Sequence, residues 1–288
     1  MIPQIIHQTW KGPPDTIPEH WLASYEGWNA LKGWTYMYWD DAAIDKLIAD
    51  HYPWFLEKFR GYAHGIQRAD TFRYFVLHKY GGVYSDLDIC PKSNFQTFFE
   101  TVKHEDVAIA ANKEGNSFAG ENLTNAFMMS QPRSAFWPHV WTFLIDPFKR
   151  KAWKRAVSQV TYYFRILFTT GPGIINDSAA TYDGEVYRIP GSLTQPGDDN
   201  TPKPLSTRES VVTILDGSSW HRADAKFFKA MGDVVNNIQW VWLALFIFSA
   251  LVAIVFIYLW WKNRKELRGL RQRKNLFNDH DPNNFKTK

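Results

Sequence analysis

The chain has 288 residues, a formal net charge of +4 and one cysteine, Cys90. That charge is too small to argue for nucleic-acid binding, and a lone cysteine excludes an internal disulfide framework. Aromatic residues make up 17% of the sequence, 14 of them Trp, which suits sugar-stacking surfaces and a buried aromatic core equally well.

In chain order, Ile2 to His7 reads as a short buried strand running into a His7-Gln8-Thr9-Trp10 loop. Lys11 to Pro18 holds three prolines and a glycine and is a loop; a helix then runs from Pro18-Glu19-His20 to about Leu31. Trp34 to Trp39 is β-rich, and Asp40-Asp41 caps a helix ending about Asp50. Tyr62 to Tyr80 reads as a longer helix ended by Gly81-Gly82. Val107 to Ala111 and Ala126 to Ser130 are apolar strands, Phe136 to Phe148 and Val157 to Phe168 are helical, and Glu185 to Ile189 and Val211 to Leu215 are late strands. Gly191 to Arg208 is a polar loop over or beside the site. Short strands separated by helices predict an α/β fold around a central, mostly parallel sheet.

Residues 68–88, RADTFRYFVLHKYGGVYSDLD, carry the chemistry. Asp70 and Arg73 lie three apart and share a helix face. After the glycine break and Val83-Tyr84 come two carboxylates one residue apart, Asp86 and Asp88. Mg²⁺-class ions take oxygen ligands, typically one or two carboxylates, with substrate phosphates in the remaining places. Such a pair at a strand end can hold a metal against a nucleotide diphosphate and neutralise charge on the leaving group. A solvated acidic turn is the plain alternative, but Val76, Leu77, Val83, Leu87 and Ile89 surround the pair with apolar residues.

The run R-x-D-x-x-R-Y followed by G-G-V-Y-x-D-x-D resembles the sugar-nucleotide site of family 32 glycosyltransferases, which include fungal inositol phosphorylceramide mannosyltransferases. I-P-Q-I-I-H-Q-T-W (Ile2 to Trp10), N-A-F-M-M-S from Asn125, T-G-P (Thr170 to Pro172) and G-S-S-W-H (Gly217 to His221) extend the likeness in order along the chain. The resemblance implies a GT-A-like (Rossmann-like) single catalytic domain over residues 1–235 and a retaining, metal-dependent hexosyl transfer. It makes Asp70, Arg73, Asp86 and Asp88 the catalytic set and Asp86, Asp88 and His221 the ligands of Mn²⁺ or Mg²⁺. Donor contacts fall to Trp10 (base stacking), Asp70 and Arg73 (sugar and phosphate), Tyr84 (near the ribose), Asn125, Ser219 and Trp220, with Asp177 a weaker candidate. No residue stands out as a nucleophile, and front-face transfer needs only clamping and positioning.

Ile238 to Trp261 is uncharged and, as a helix, roughly 36 Å long. A hydrocarbon core is about 30 Å thick, so a transmembrane helix over 238–261 is expected, with a basic, disordered tail over 262–288. Arg and Lys from Lys262 onward put that tail in the cytosol and the catalytic domain in the lumen of the Golgi or another endomembrane. Asn122-Leu-Thr and Asn176-Asp-Ser are sequons compatible with a lumen, although Met1-Ile-Pro carries no signal-peptide pattern. Phe227, Phe228, Met231, Val234 and Val235 recur at helical spacing and suggest an amphipathic linker on the membrane. The expected partners are GDP-mannose as donor, an inositol phosphorylceramide-type lipid as acceptor, the membrane and a regulatory subunit; no nucleic acid is expected. A hexosyltransferase using UDP-sugars or acting on protein-linked or soluble glycans is the alternative, and a non-catalytic scaffold of the same fold is the second.

Overall fold

The computed structural model describes residues 1–111, 123–194, 210–215, 248–258, 260, 261 and 264. They fall into two units, Met1–Asp224 and Ala225–Lys288.

The first unit opens with β1 (Ile5–Thr9), α1 (Glu19–Asn29) and β2 (Thr35–Trp39). Helices α2 (Asp41–His51), α3 (Pro53–Arg60) and α4 (Gly65–Tyr80) follow, then β3 (Gly82–Ser85) and β4 (Ile89–Pro91). Next come α5 (Phe95–Val102), β5 (Val107–Ala111), β6 (Leu123–Ser130) and α6 (Phe136–Ile145). The described chain continues through α7 (Ala152–Val157), α8 (Tyr162–Thr169), α9 (Pro172–Ala179), β7 (Tyr187–Ile189), α10 (Gly191–Thr194) and β8 (Val212–Ile214).

Six strands form one sheet in the order β2-β1-β3-β6-β5-β7, while β4 and β8 pair separately. β1 is parallel to β2 and β3, and β5 to β7; β6 runs against both β3 and β5. The expected mostly parallel sheet therefore holds, with β6 as its one reversed strand. Alternation along the strands feeds two cores. Val83, Phe127 and Met129 meet Trp28 and Phe95, Phe98 and Phe99 on one face. Tyr84 and Met128 meet Phe72, Phe75, Trp137 and Val140 on the other. The aromatic richness of the sequence is thus largely core.

Several boundaries moved for local reasons. Asp40 does cap α2, its carboxylate accepting the Ala43 N–H at 2.8 Å. The predicted helix over Val157 to Phe168 starts later: Val157 ends α7, and α8 begins at Tyr162, where the Thr161 side chain caps it by accepting the Phe164 N–H. Helices α3, α5, α7 and α9 were not anticipated, although α5 buries Phe95, Phe98, Phe99 and Val102 at full helical spacing.

The paired glycines end α4 as expected. Gly81 has φ 65° and Gly82 φ 92°, and a Cβ on Gly82 would lie 2.5 Å from the Ile5 carbonyl oxygen. The turn drops the chain from α4 straight into the sheet beside β1, a path open only to glycine.

In the second unit, residues 248–258 are helical, and Phe248, Leu251, Ile254, Val255, Phe256 and Ile257 are exposed. Among the described residues no helix is long and apolar enough to cross a membrane. Residues 238–247, the linker carrying Phe227 to Val235, Asn122 and most of the tail lie outside the described residues.

Candidate active site

β1 and β3 are parallel and end together, and reversed β6 begins at that same edge. The edge collects Gln8 and Trp10 after β1, Asp86 and Asp88 after β3, and Asn125 near the start of β6. In open α/β sheets such strand ends are where ligands bind. α4 packs over them and presents Asp70 and Arg73, one helical turn apart.

Arg73 is the hub. Its Nη2 is 3.1 Å from Asp70 Oδ1 and its Nη1 is 3.3 Å from Asp86 Oδ1, and Nη1 also donates to the Asn125 carbonyl at 2.8 Å. The guanidinium lies over the Tyr84 ring, 4.7 Å from its centroid. Tyr84 in turn donates its hydroxyl to Asp86 Oδ1 at 2.9 Å.

Asp70 is held on every side. Asn125 Nδ2 donates to its Oδ1 and Thr170 Oγ1 to its Oδ2, both at 3.1 Å. Tyr74 braces the pair, accepting from Asn125 at 3.0 Å and donating to the Thr170 carbonyl at 2.6 Å. The segment after α8 thereby locks onto α4. Beneath the strand ends, Gln8 donates to the Asp86 carbonyl and to Ser24 and accepts from Tyr36.

Burial sets the electrostatics. The Asp70 and Arg73 side chains are 6% and 4% exposed, whereas that of Asp86 is 32% exposed. Burial pushes Asp70 up to about 6, against the pull of Arg73. Burial also works against the Arg73 charge, but Asp86, Tyr84 and Asp70 outweigh it and hold the guanidinium above its usual value. The result is a buried cation whose one part-exposed partner is Asp86, facing the strand-end edge.

Asp88 sits on the same turn, where Ile89 N–H closes onto the Asp86 carbonyl at 3.0 Å. Burial first and the Asp86 charge second push it up to about 7. A carboxylate held where its charge is costly, beside a second carboxylate, is a donor set suited to a hard divalent cation. Asp86 and Asp88 therefore fit a metal; among the described residues no third His, Cys, Asp or Glu joins them. His221, Ser219 and Trp220 lie outside the described residues.

The predicted residues thus separate. Asp70, Arg73, Asp86 and Asn125 are brought together, and Asp88 adjoins them. Tyr84 is buried, with its ring beneath the Arg73 guanidinium and its hydroxyl on Asp86. Trp10 is half-buried, edge-on to Trp21 at 5.5 Å, with its indole N–H donated to the Thr16 carbonyl. Asp177 is drawn off into a pair with Lys154 at 2.6 Å. Asn176 is no glycan acceptor in the folded chain: it is 8% exposed and its amide bonds both the N–H and C=O of Leu123. Thr170, Tyr74 and Gln8 were missed as supports; all three lie inside motifs that had been noted, but nothing in spacing shows which side chains turn inward.

Residues 18–108 match the family described as a glycosyltransferase sugar-binding region containing the DXD motif, a span that covers Asp70, Arg73, Asp86 and Asp88. That stretch of the chain is similar to the sugar-binding region of DXD-motif glycosyltransferases. Among curated relatives, the chain is 33% identical over 239 residues to mannosyl phosphorylinositol ceramide synthase SUR1 of Saccharomyces cerevisiae, covering 80% of this chain and 55% of that protein. Inositol phosphoceramide mannosyltransferase 3 of Schizosaccharomyces pombe is 46% identical over 89 residues, 31% of this chain and 24% of that one. The chain spans a little over half the length of the relatives it matches most broadly. Among solved structures, mouse xyloside xylosyltransferase 1 superposes with a TM-score of 0.43 at 10% identity, over 76% of this chain and 99% of that one.

Proposed function

We propose that this chain is the catalytic unit of a metal-dependent, retaining mannosyltransferase of GT-A-like fold. Its donor is GDP-mannose and its acceptor an inositol phosphorylceramide-type lipid. The observation that carries the reading is the buried chain Asp70–Arg73–Asp86 at the sheet edge. The names of the broadest relatives supply the sugar and the acceptor class.

The roles follow from the contacts. Asp70, fixed by Thr170 and Asn125, accepts hydrogen bonds from donor-sugar hydroxyls. Arg73 supplies positive charge from a water-poor seat and, having two of its nitrogens already engaged, needs no reorganisation when negative charge develops nearby. Asp86 and Asp88 would hold Mn²⁺ or Mg²⁺, which supplies neutralisation of the departing diphosphate. β8 ties the C-terminal end of the unit to this turn: the Leu215 N–H donates to the Asp88 carbonyl at 2.6 Å, two residues before Gly217. That short reach supports a role for Ser219, Trp220 and His221 at the same diphosphate. We further propose that residues 238–261 anchor the enzyme in an endomembrane, since 248–258 is helical with apolar side chains outward.

The test is transfer by the purified full chain, with Mn²⁺, from GDP-mannose and from UDP-sugars to inositol phosphorylceramide in vesicles. Mannosylated lipid from GDP-mannose is expected. Turnover of UDP-sugars only, or transfer only to soluble glycans, rules the reading out.

A further inference from the structure

Most of the large apolar side chains of the first unit are buried, which makes one face stand apart. Phe148 is 76% exposed, Trp54 53%, Ile145 49% and Trp153 47%. They come from the end of α6, the short 3₁₀ turn Pro147–Lys149, α7 and the start of α3. Trp54 and Ile145 line one shallow depression together with Lys58. Arg155 lies over the Phe148 ring at 4.6 Å, so the apolar and basic groups are interleaved.

The charge on this face is lopsided. Lys58, Lys149, Lys151 and Arg155 have no carboxylate within 4 Å among the described residues. Two acids stand nearby, Glu57 on the rim of the depression and Asp146, whose Oδ1 accepts the Phe148 N–H at 2.8 Å. Burial first, and the charge of Arg150 second, hold Lys58 below its ordinary value.

We propose that this face docks the first unit on an anionic lipid surface. Aromatic side chains interleaved with Lys and Arg are what a membrane interface selects: rings enter the headgroup boundary while the cations remain among phosphates. Protein–protein interfaces are, by contrast, depleted of Lys. The position is also apt. α8 begins five residues after α7 and, at eight residues, advances about 12 Å before Thr170 bonds Asp70. The proposal rests on the surface alone and stands whether or not the acceptor is a lipid.

The test uses the full chain in proteoliposomes of neutral phosphatidylcholine, with and without added phosphatidylinositol, read by hydrogen exchange over residues 146–157. Exchange is expected to slow severalfold on the anionic vesicles only. Each neutralised cation weakens such docking about fivefold, so Lys149→Gln with Lys151→Gln is expected to lose nearly all of the protection. Phe148→Ser should lose it as well, and donor hydrolysis by both variants should match that of the unaltered chain, showing an intact fold. Equal exchange on the two vesicle types overturns the proposal, even if lipid transfer is found. Protection that appears in detergent and grows with protein concentration assigns the face to a second copy and also overturns it. Anionic-specific protection without any mannosyl transfer supports the docking face while removing the mannosyltransferase reading.

Discussion

Two ion pairs in the first unit have comparably buried cations, yet they are built differently. Arg73 joins Asp70 to Asp86 at a sheet edge, and the chain ends on a side chain that is 32% exposed. Lys154 meets Asp177 at 2.6 Å with side chains 2% and 12% exposed, and the second carboxylate oxygen, Oδ2, is buried with no partner. Trp153 and Phe168 flank the ammonium at 5.7 and 5.5 Å. The first is a network with an outlet; the second is closed. Burial of charge alone therefore does not mark a site, because structural pairs are buried too. Arg73 Nε is likewise buried without a partner, so an unpaired buried atom does not separate the two pairs. What marks the site is a buried network that emerges at one part-exposed carboxylate beside a second, unfavourably placed carboxylate.

That contrast can be broken experimentally. The largest effect is expected at the open end. Asp86→Ala with Asp88→Ala should lower Mn²⁺-dependent donor turnover by about 10³-fold or more while the circular dichroism spectrum is unchanged. Turnover within tenfold of the parent removes the metal assignment. Arg73→Met should lose both activity and about 3–5 kcal/mol of stability, since it leaves Asp70 buried without its cation. Denaturant melts and donor kinetics on the same sample check both halves. Lys154→Met should cost a similar 3–5 kcal/mol, yet leave activity per folded molecule within a few-fold. The pairing of Lys154→Met with Asp177→Leu should recover most of that loss, because removing both charges leaves none uncompensated.

The smallest effect is on pH and stability, away from the site. His7 is buried between two fixed partners: the Trp39 indole N–H faces Nδ1 at 3.2 Å and the Gly81 carbonyl faces Nε2 at 2.9 Å. An indole N–H can only donate and a carbonyl only accept, so the neutral ring carries its proton on Nε2. Burial holds its pKa down to about 4. The unfolded chain, at about 6.5, takes up the proton first. Stability from this group is complete above pH 6.5 and is lost as pH falls towards 4, by about 1.4 kcal/mol per unit. His7→Gln should flatten the melting-temperature profile across that window; an unchanged slope would show that His7 does not set it.

Much of this arrangement was legible in the sequence, and the reasons differ by region. Strands and the long helix α4 were readable because apolar spacing and the Gly81-Gly82 stop act locally. Asp86 and Asp88 stood out by their spacing, and Asp70 and Arg73 by a shared helix face and the family resemblance; the fold brings Asp70, Arg73 and Asp86 into contact. The contacts that lock them were not readable, since Thr170 reaches Asp70 across 100 residues and Asn125 across 55. Tyr84 shows the same limit: its place in the motif did not show that strand alternation puts its ring under Arg73. Asn176 fits a sequon by its triplet, and α9 then buries it. In each case a tertiary contact decided what a local pattern left open.

The central claim is that the Asp70–Arg73–Asp86 network and Asp88 form a metal-assisted nucleotide-sugar clamp. Calorimetric titration of the full chain with GDP-mannose, in Mn²⁺ and again in EDTA, tests it most directly. The account predicts binding that requires Mn²⁺, disappears in Asp86→Ala with Asp88→Ala, and persists in Lys154→Met. Binding of equal strength in EDTA, or undiminished binding by the Asp86 and Asp88 double variant, would contradict it.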